Sequence, residues 1–104
     1  MFVRLVYCKF DPARIREIRR IYNEEVAPFV RKQKGNLGIR LLEPSDKSDD
    51  FISVTEWKNR WDAEAYEDSG MYQRMTAKFD GLFTKQPALK TYGVEEALVH
   101  ADHL

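Results

Sequence analysis

Two strand-like runs, residues 37–43 and 51–58, are separated only by Pro44, Ser45, Asp46, Lys47, Ser48, Asp49 and Asp50. A parallel pairing needs a crossover of about a dozen residues or more, so these runs can pair only as an antiparallel hairpin. The rest of the chain has to be arranged around that hairpin. Its acidic loop lacks the glycine and closing glutamate of an EF-hand loop and reads as a solvated turn.

Ahead of the hairpin, residues 2–10 are rich in Val, Leu, Tyr and Phe with Arg4 and Lys9 interspersed, the make-up of a strand. Asp11 followed by Pro12 ends it, because an aspartate caps a helix and a proline presets φ for its first turn. Ile15, Ile18, Tyr22, Val26 and Phe29 then recur at spacings of three and four, an apolar stripe on a helix. Pro28 lies inside that stripe, where it removes one backbone donor and crowds the preceding turn, and it predicts a kink or restart at residues 25–28. Gly35, after Lys32 and Lys34, suits the left-handed residue that closes a helix.

Behind the hairpin, Asn59 can cap a second helical region carrying Trp61, Ala65, Tyr66, Met71, Met75, Phe79, Leu82 and Phe83. Ser69 and Gly70 break it into two segments, and Pro87 ends it before a fourth strand at 88–95. Residues 96–104 read as a tail. The predicted order is that of an α+β, ferredoxin-like βαββαβ domain with an antiparallel sheet, spanning residues 1–95. At 104 residues the chain suffices for one core and is too short for two ordinary domains. Both helical regions have to lie on one face of the sheet. The other face then shows apolar side chains from four strands, more than a soluble monomer usually exposes, and the expected cover is the same face of a second copy.

Composition narrows the partners. Seventeen basic residues balance seventeen acidic ones, so no net field favours nucleic acid or an anionic membrane. The lone cysteine, Cys8, rules out an intrachain disulfide and a Cys-cluster zinc site, fits a reducing compartment and reads as a small buried hydrophobe. No run approaches the roughly 18 apolar residues of a membrane span, and Met1 leads directly into strand-like sequence; a cytoplasmic protein is expected.

The run Phe51-Ile52-Ser53-Val54-Thr55-Glu56-Trp57-Lys58, continued by Ala63, Ala65-Tyr66 and Met71-Tyr72, resembles the antibiotic biosynthesis monooxygenase family. The mid-helix Pro28, the Gly35-Asn36-Leu37-Gly38 entry to the second strand and the closing run Leu89-Lys90-Thr91-Tyr92-Gly93-Val94 extend the resemblance over residues 2–95. It implies a homodimer of the dimeric α/β barrel type, with a pocket in each subunit between the sheet and the second helical region. Some members of that family oxidise polycyclic phenols to quinones without metal or flavin, others degrade haem or process signalling molecules, and some have no known activity. The resemblance implies a cofactor-independent monooxygenase acting on a small aromatic or quinol-like substrate, with no cofactor and no metal. The alternative is a non-catalytic metabolite-binding or stress-responsive dimer.

Cofactor-free oxygenation needs an aromatic that can be deprotonated, and donors that orient it and stabilise its anion. Asn59, Trp61, Tyr66 and Tyr72 stand where the resemblance implies pocket-lining groups, with Trp57 close by. The plainer reading of Trp57, Trp61 and Tyr66 is as core or dimer-interface aromatics, and of Asn59 as a helix cap. On the third strand Ser53, Thr55 and Trp57 share one face and Ile52, Val54 and Glu56 the other. The aliphatic pair is expected under the helices, which turns Ser53, Thr55 and Trp57 toward the barrel interior as ligand-binding candidates. On the first strand Val3, Leu5 and Tyr7 are as apolar as Arg4, Val6 and Cys8, so the pattern leaves the cavity-facing set open and Tyr7 stands as a candidate.

Haem-degrading relatives use a first-strand asparagine, a tryptophan in the second helical region and a later helix histidine. Here the first strand has no asparagine, Tyr66 stands near the tryptophan position and Thr76 near that of the histidine, which argues against that mechanism. His100 and His103 flank Asp102 in the tail, where two imidazoles lack the fixed geometry of a metal site. A catalytic protein is expected to converge Tyr, Asn or Arg donors on its pocket, whereas a structural dimer should fill it with Phe, Met and Trp.

Overall fold

The computed structural model describes residues 1–95; the tail with His100 and His103 lies outside the described residues. Four strands, β1 (Phe2–Cys8), β2 (Asn36–Leu42), β3 (Phe51–Trp57) and β4 (Ala88–Gly93), form one antiparallel sheet in the order β2-β3-β1-β4. This is the ferredoxin-like α+β fold, and β2 and β3 are joined by the hairpin that the seven-residue polar segment requires.

The helices start and stop where local chemistry dictates. Asp11 accepts a hydrogen bond from the Ala13 backbone N–H and opens a short 3₁₀ turn, Pro12–Arg14, that leads into α1 (Ile15–Ile21). A π turn, Tyr22–Val26, follows, and α2 (Ala27–Arg31) resumes the α-helical course. The widened turn sits directly ahead of Pro28, whose ring crowds the turn before it and which has no N–H to donate; the expected restart takes this form. Asn59 caps α3 (Arg60–Asp68) by accepting from the Asp62 backbone N–H at 2.9 Å. Gly70, at φ +85°, turns the chain into α4 (Met71–Ala77).

Register decides which residues meet the helices. Pairing β1 with β3 places Arg4 opposite Thr55, Val6 opposite Ser53 and Phe2 opposite Trp57. On β2 a bulge at Leu37 shifts the register so that Ile39 and Leu41 join this face opposite Thr55 and Ser53. The bulge is fastened by Asn36, whose amide donates to the Gly38 and Glu56 carbonyls. The core lies here, beneath Ile18, Ile21, Tyr22, Val26, Ala27 and Val30 of the first helical arm and Ala63, Tyr66, Met75, Phe79 and Leu82 of the second.

This overturns the expected orientation of β3. Ser53, Thr55 and Trp57 face the helices, while Ile52, Val54 and Glu56 face away from them with Val3, Leu5 and Tyr7. The hydroxyls tolerate the interior because each has a partner: Tyr22 Oη lies 2.8 Å from Ser53 Oγ, and the fully buried Trp57 donates from Nε1 to Thr55 Oγ1 at 2.9 Å. The aliphatic side chains instead make up the uncovered face, with Leu42 and Tyr92 at its margins 46% and 48% exposed. Among the described residues no helix is long and apolar enough to cross a membrane.

Candidate functional site

A cavity lies between the sheet and both helical arms. Its floor is Arg4, Val6 and Cys8 of β1, Ile39 and Leu41 of β2, and Ser53 and Thr55 of β3. Tyr22, Val26 and Val30 wall one side, and Tyr66, Tyr72, Met75 and Thr76 the other. Tyr22 and Val26, at the two ends of the π turn, both line this space.

Aromatic clusters bound the cavity at its two ends. At one, Phe10 stacks on Phe83 at 5.1 Å and meets Phe51 and Phe79 at 5.3 and 5.5 Å, held where the chain after α4 returns and the Asp11 N–H donates to the Leu82 carbonyl. At the other, Trp57 packs against Tyr66 at 5.2 Å and Tyr66 meets Tyr72 edge-on at 6.4 Å. The cavity is partly open on one side. It is slender: the centre of a water molecule fits in only about 60 Å³ of it. That is room for about five waters.

Of the candidates read from sequence, Ser53, Thr55, Tyr66 and Tyr72 line this cavity, and Trp57 backs its end through Thr55 and Tyr66. Three stand elsewhere. Tyr7 is on the opposite face of the sheet under the Lys90 ammonium, Asn59 is occupied as the cap of α3, and Trp61 is 75% exposed on the outer side of α3. Thr76 lines the cavity, but its hydroxyl donates to the Tyr72 carbonyl.

The group that sequence reading passed over is Arg4. It is the one charged side chain among the described residues lining the cavity, and it is only 2% exposed. Nη1 donates to Glu67 Oε1 at 3.0 Å, the guanidinium carbon sits 4.9 Å from the centre of the Tyr72 ring, and Nη2 is buried without a partner. The signal was its period: Arg4 alternates with Val6 and Cys8, so once that face is taken as interior the arginine is interior too.

Burial sets the protonation of the neighbours. Tyr66 is pushed up to about 12 by burial, against the smaller opposing pull of Arg4. Burial raises Tyr22 and Tyr72 as well, and it pushes the Cys8 thiol up to about 12, assisted by the charge of Asp50. At neutral pH these groups are neutral, so they offer hydroxyl and thiol groups and no nucleophile. No group of three or more His, Cys, Asp or Glu side chains is placed to hold a metal among the described residues.

The model of the antibiotic biosynthesis monooxygenase family matches residues 1–78. Solved structures agree on the fold. A candidate antibiotic biosynthesis monooxygenase from Deinococcus radiodurans superposes with a TM-score of 0.78 at 15% identity, over 96% of this chain and 98% of that one. A candidate monooxygenase of the same description from Nitrosomonas europaea gives 0.74 at 18% identity, over 90% and 98%. The haem-degrader MhuD from Mycobacterium tuberculosis, with two haems bound in its active site, gives 0.75 at 18% identity, over 95% and 100%. No curated protein matches the sequence at a significant level.

Proposed function

The chain belongs to the antibiotic biosynthesis monooxygenase family, and on that premise we propose that its cavity binds a small aromatic or quinol-like substrate and oxygenates it without metal or flavin. The observation that carries this reading is the cavity itself, a narrow, largely apolar slot between aromatic ends that Arg4, Tyr66 and Tyr72 line. Such a slot excludes bulk water, orients a planar ring and presents donors to a developing anion.

In the proposed reaction a phenol-activated methylene loses a proton, and the resulting anion passes one electron to dioxygen. The radical and superoxide combine to form a carbon–oxygen bond, and protonation gives a hydroperoxide. Loss of the second methylene proton with cleavage of the O–O bond releases water and leaves a carbonyl. One oxygen atom ends in the quinone and one in water, and the substrate supplies all four electrons.

Haem, bound by a relative of the same fold, fits these residues poorly. Histidine is absent from the described residues, Thr76 has its hydroxyl committed to a carbonyl, the Cys8 thiol is held protonated, and the slot is too slender for a macrocycle.

A non-catalytic, metabolite-binding role is the second reading, supported by the Phe10, Met75, Phe79 and Phe83 side chains that narrow the cavity and by the lack of a carboxylate among its described lining residues. Oxygen uptake with hydroxyanthrones and naphthols separates the two. Uptake with release of a quinone is the expected result; binding without uptake of oxygen refutes the monooxygenase reading and leaves the second.

We also infer a homodimer that closes the uncovered sheet face. Val3, Leu5, Tyr7, Ile52 and Val54 form a contiguous apolar surface there, flanked by the Arg40–Glu56 ion pair. Sedimentation at micromolar concentration tests this, and a monomer refutes it.

A further inference from the structure

We propose that Arg4 is the specificity-determining residue of the cavity and that it selects an aromatic ligand bearing an ionised oxygen, as in a phenolate or the equivalent enolate. The inference rests on the reading of the cavity as an aromatic-binding site.

A guanidinium carries five N–H donors, accepts nothing and keeps its proton. Burying one among Val6, Ile39 and Met75 is unfavourable unless its donors are used. Glu67 uses Nη1, and Nη2 is left buried with no partner among the described residues. The hydroxyl of Thr55, the residue paired with Arg4 across the sheet, accepts from Trp57, and that of Ser53 is paired with Tyr22. The missing acceptor is supplied by what enters the cavity.

The chemistry of that acceptor follows from what remains free. Because Nη1 is committed to Glu67, the end-on fork that grips both oxygens of a carboxylate is half occupied. Nη2, with its two N–H groups, remains for an anionic oxygen of the ligand. The Tyr72 ring covers a face of the guanidinium, which leaves the in-plane direction of Nη2 for the ligand and fixes the plane in which its oxygen has to lie. The titratable groups beside Arg4 are Glu67 on α3 and Tyr66 and Tyr72 on the helical arm above it, and only Glu67 is a carboxylate.

The test uses 2-naphthol as the probe and 2-naphthoate as the carboxylate control, with the ionisation of bound naphthol followed by absorbance in the wild-type protein and in Arg4→Met. A cation at hydrogen-bonding distance lowers the pKa of an acidic partner by roughly one to three units. Bound naphthol is therefore expected to ionise at least about tenfold more readily in the wild type than in Arg4→Met. Glu67→Gln, which keeps Arg4 and guards against a misfolded Arg4 variant, should lower the naphthol pKa further by removing the competing charge. If naphthol binds but ionises at the same pH in all three proteins, Nη2 does not meet the ligand's oxygen and the inference is overturned, while the cavity reading survives. Naphthoate, which also carries an ionised oxygen, should bind more weakly to Arg4→Met than to the wild type, and equal binding to both overturns the anion contact at Arg4. If neither probe binds, the cavity reading fails and takes the inference with it.

Discussion

Gly35, Gly70 and Gly81 share almost the same left-handed backbone, with φ of +80°, +85° and +81°, yet their surroundings differ. A side chain at Gly70 or Gly81 would meet nothing within 4 Å. At Gly35 an added Cβ would fall 2.5 Å from both Cβ and Cγ of Asp62 and closer still to Oδ2. The collision involves the root of the Asp62 side chain, so rotation of a flexible tip does not relieve it. Asp62 is itself anchored, since its N–H donates to Asn59 and the neighbouring Lys58 N–H donates to the Gly35 carbonyl at 2.8 Å. Placing an L residue in the left-handed region costs about 1–2 kcal/mol, and this is the whole expected cost of Gly70→Ala and Gly81→Ala. Gly35→Ala adds an overpacking cost of about 1–3 kcal/mol because the start of β2 and the first turn of α3 have to separate. The three variants should therefore split, with Gly35→Ala about 2–5 kcal/mol less stable than wild type. Urea denaturation followed by circular dichroism measures this directly, provided the slope of free energy against denaturant is unchanged. Equal losses for all three variants would refute the claim that the Gly35–Asp62 approach is tight and rigid.

Other expectations follow from the same structure. Thr55→Val leaves the buried Trp57 Nε1 without an acceptor and should cost about 1–3 kcal/mol; in a double-mutant cycle with Trp57→Phe the coupling should be near 1 kcal/mol, and a coupling of zero removes the hydrogen bond from the account. Stability should fall as pH rises from 9.0 toward about 12, because the Cys8 thiol keeps its proton more tightly folded than unfolded. Its stabilising contribution is complete below the unfolded pKa and disappears as pH approaches the folded one, so Cys8→Ala should show a shallower alkaline loss in the same titration; an identical slope contradicts the burial argument. Val54→Lys combined with Leu5→Lys places two charges on the proposed dimer face and should give a folded monomer by sedimentation; an unchanged dimer would mean that subunits meet elsewhere.

The element order was legible because its punctuation is local. Asp11, Pro12, Gly35, Asn59, Gly70 and Pro87 each act through their own backbone or the next turn, and each stands at or beside an element boundary in the structure. The facing of β3 was not legible, because alternation separates Ser53, Thr55 and Trp57 from Ile52 and Val54 without saying which set lies inside. Hydrophobicity pointed to the aliphatic pair. What reverses the choice is satisfaction of the hydroxyls by Tyr22 and Trp57, groups far apart in sequence from one another. The same ambiguity hid Arg4, whose burial depends on Glu67, 63 residues away. Asn59 and Trp61 lie near the cavity in sequence, yet the start of α3 turns one into a cap and the other outward.

The edge position of β4 has a consequence for how the molecule breathes. This strand pairs only with β1, and of its six residues only Leu89 is half-buried while the others are exposed. Few apolar contacts hold it, so its opening is a low-energy local event, and its amide protons should exchange with deuterium well before those of β3, which is paired on both sides. None of the described residues lining the cavity comes from β4. The sheet can fray along that edge while the slot keeps its shape, which keeps this opening away from the place where a ligand would sit.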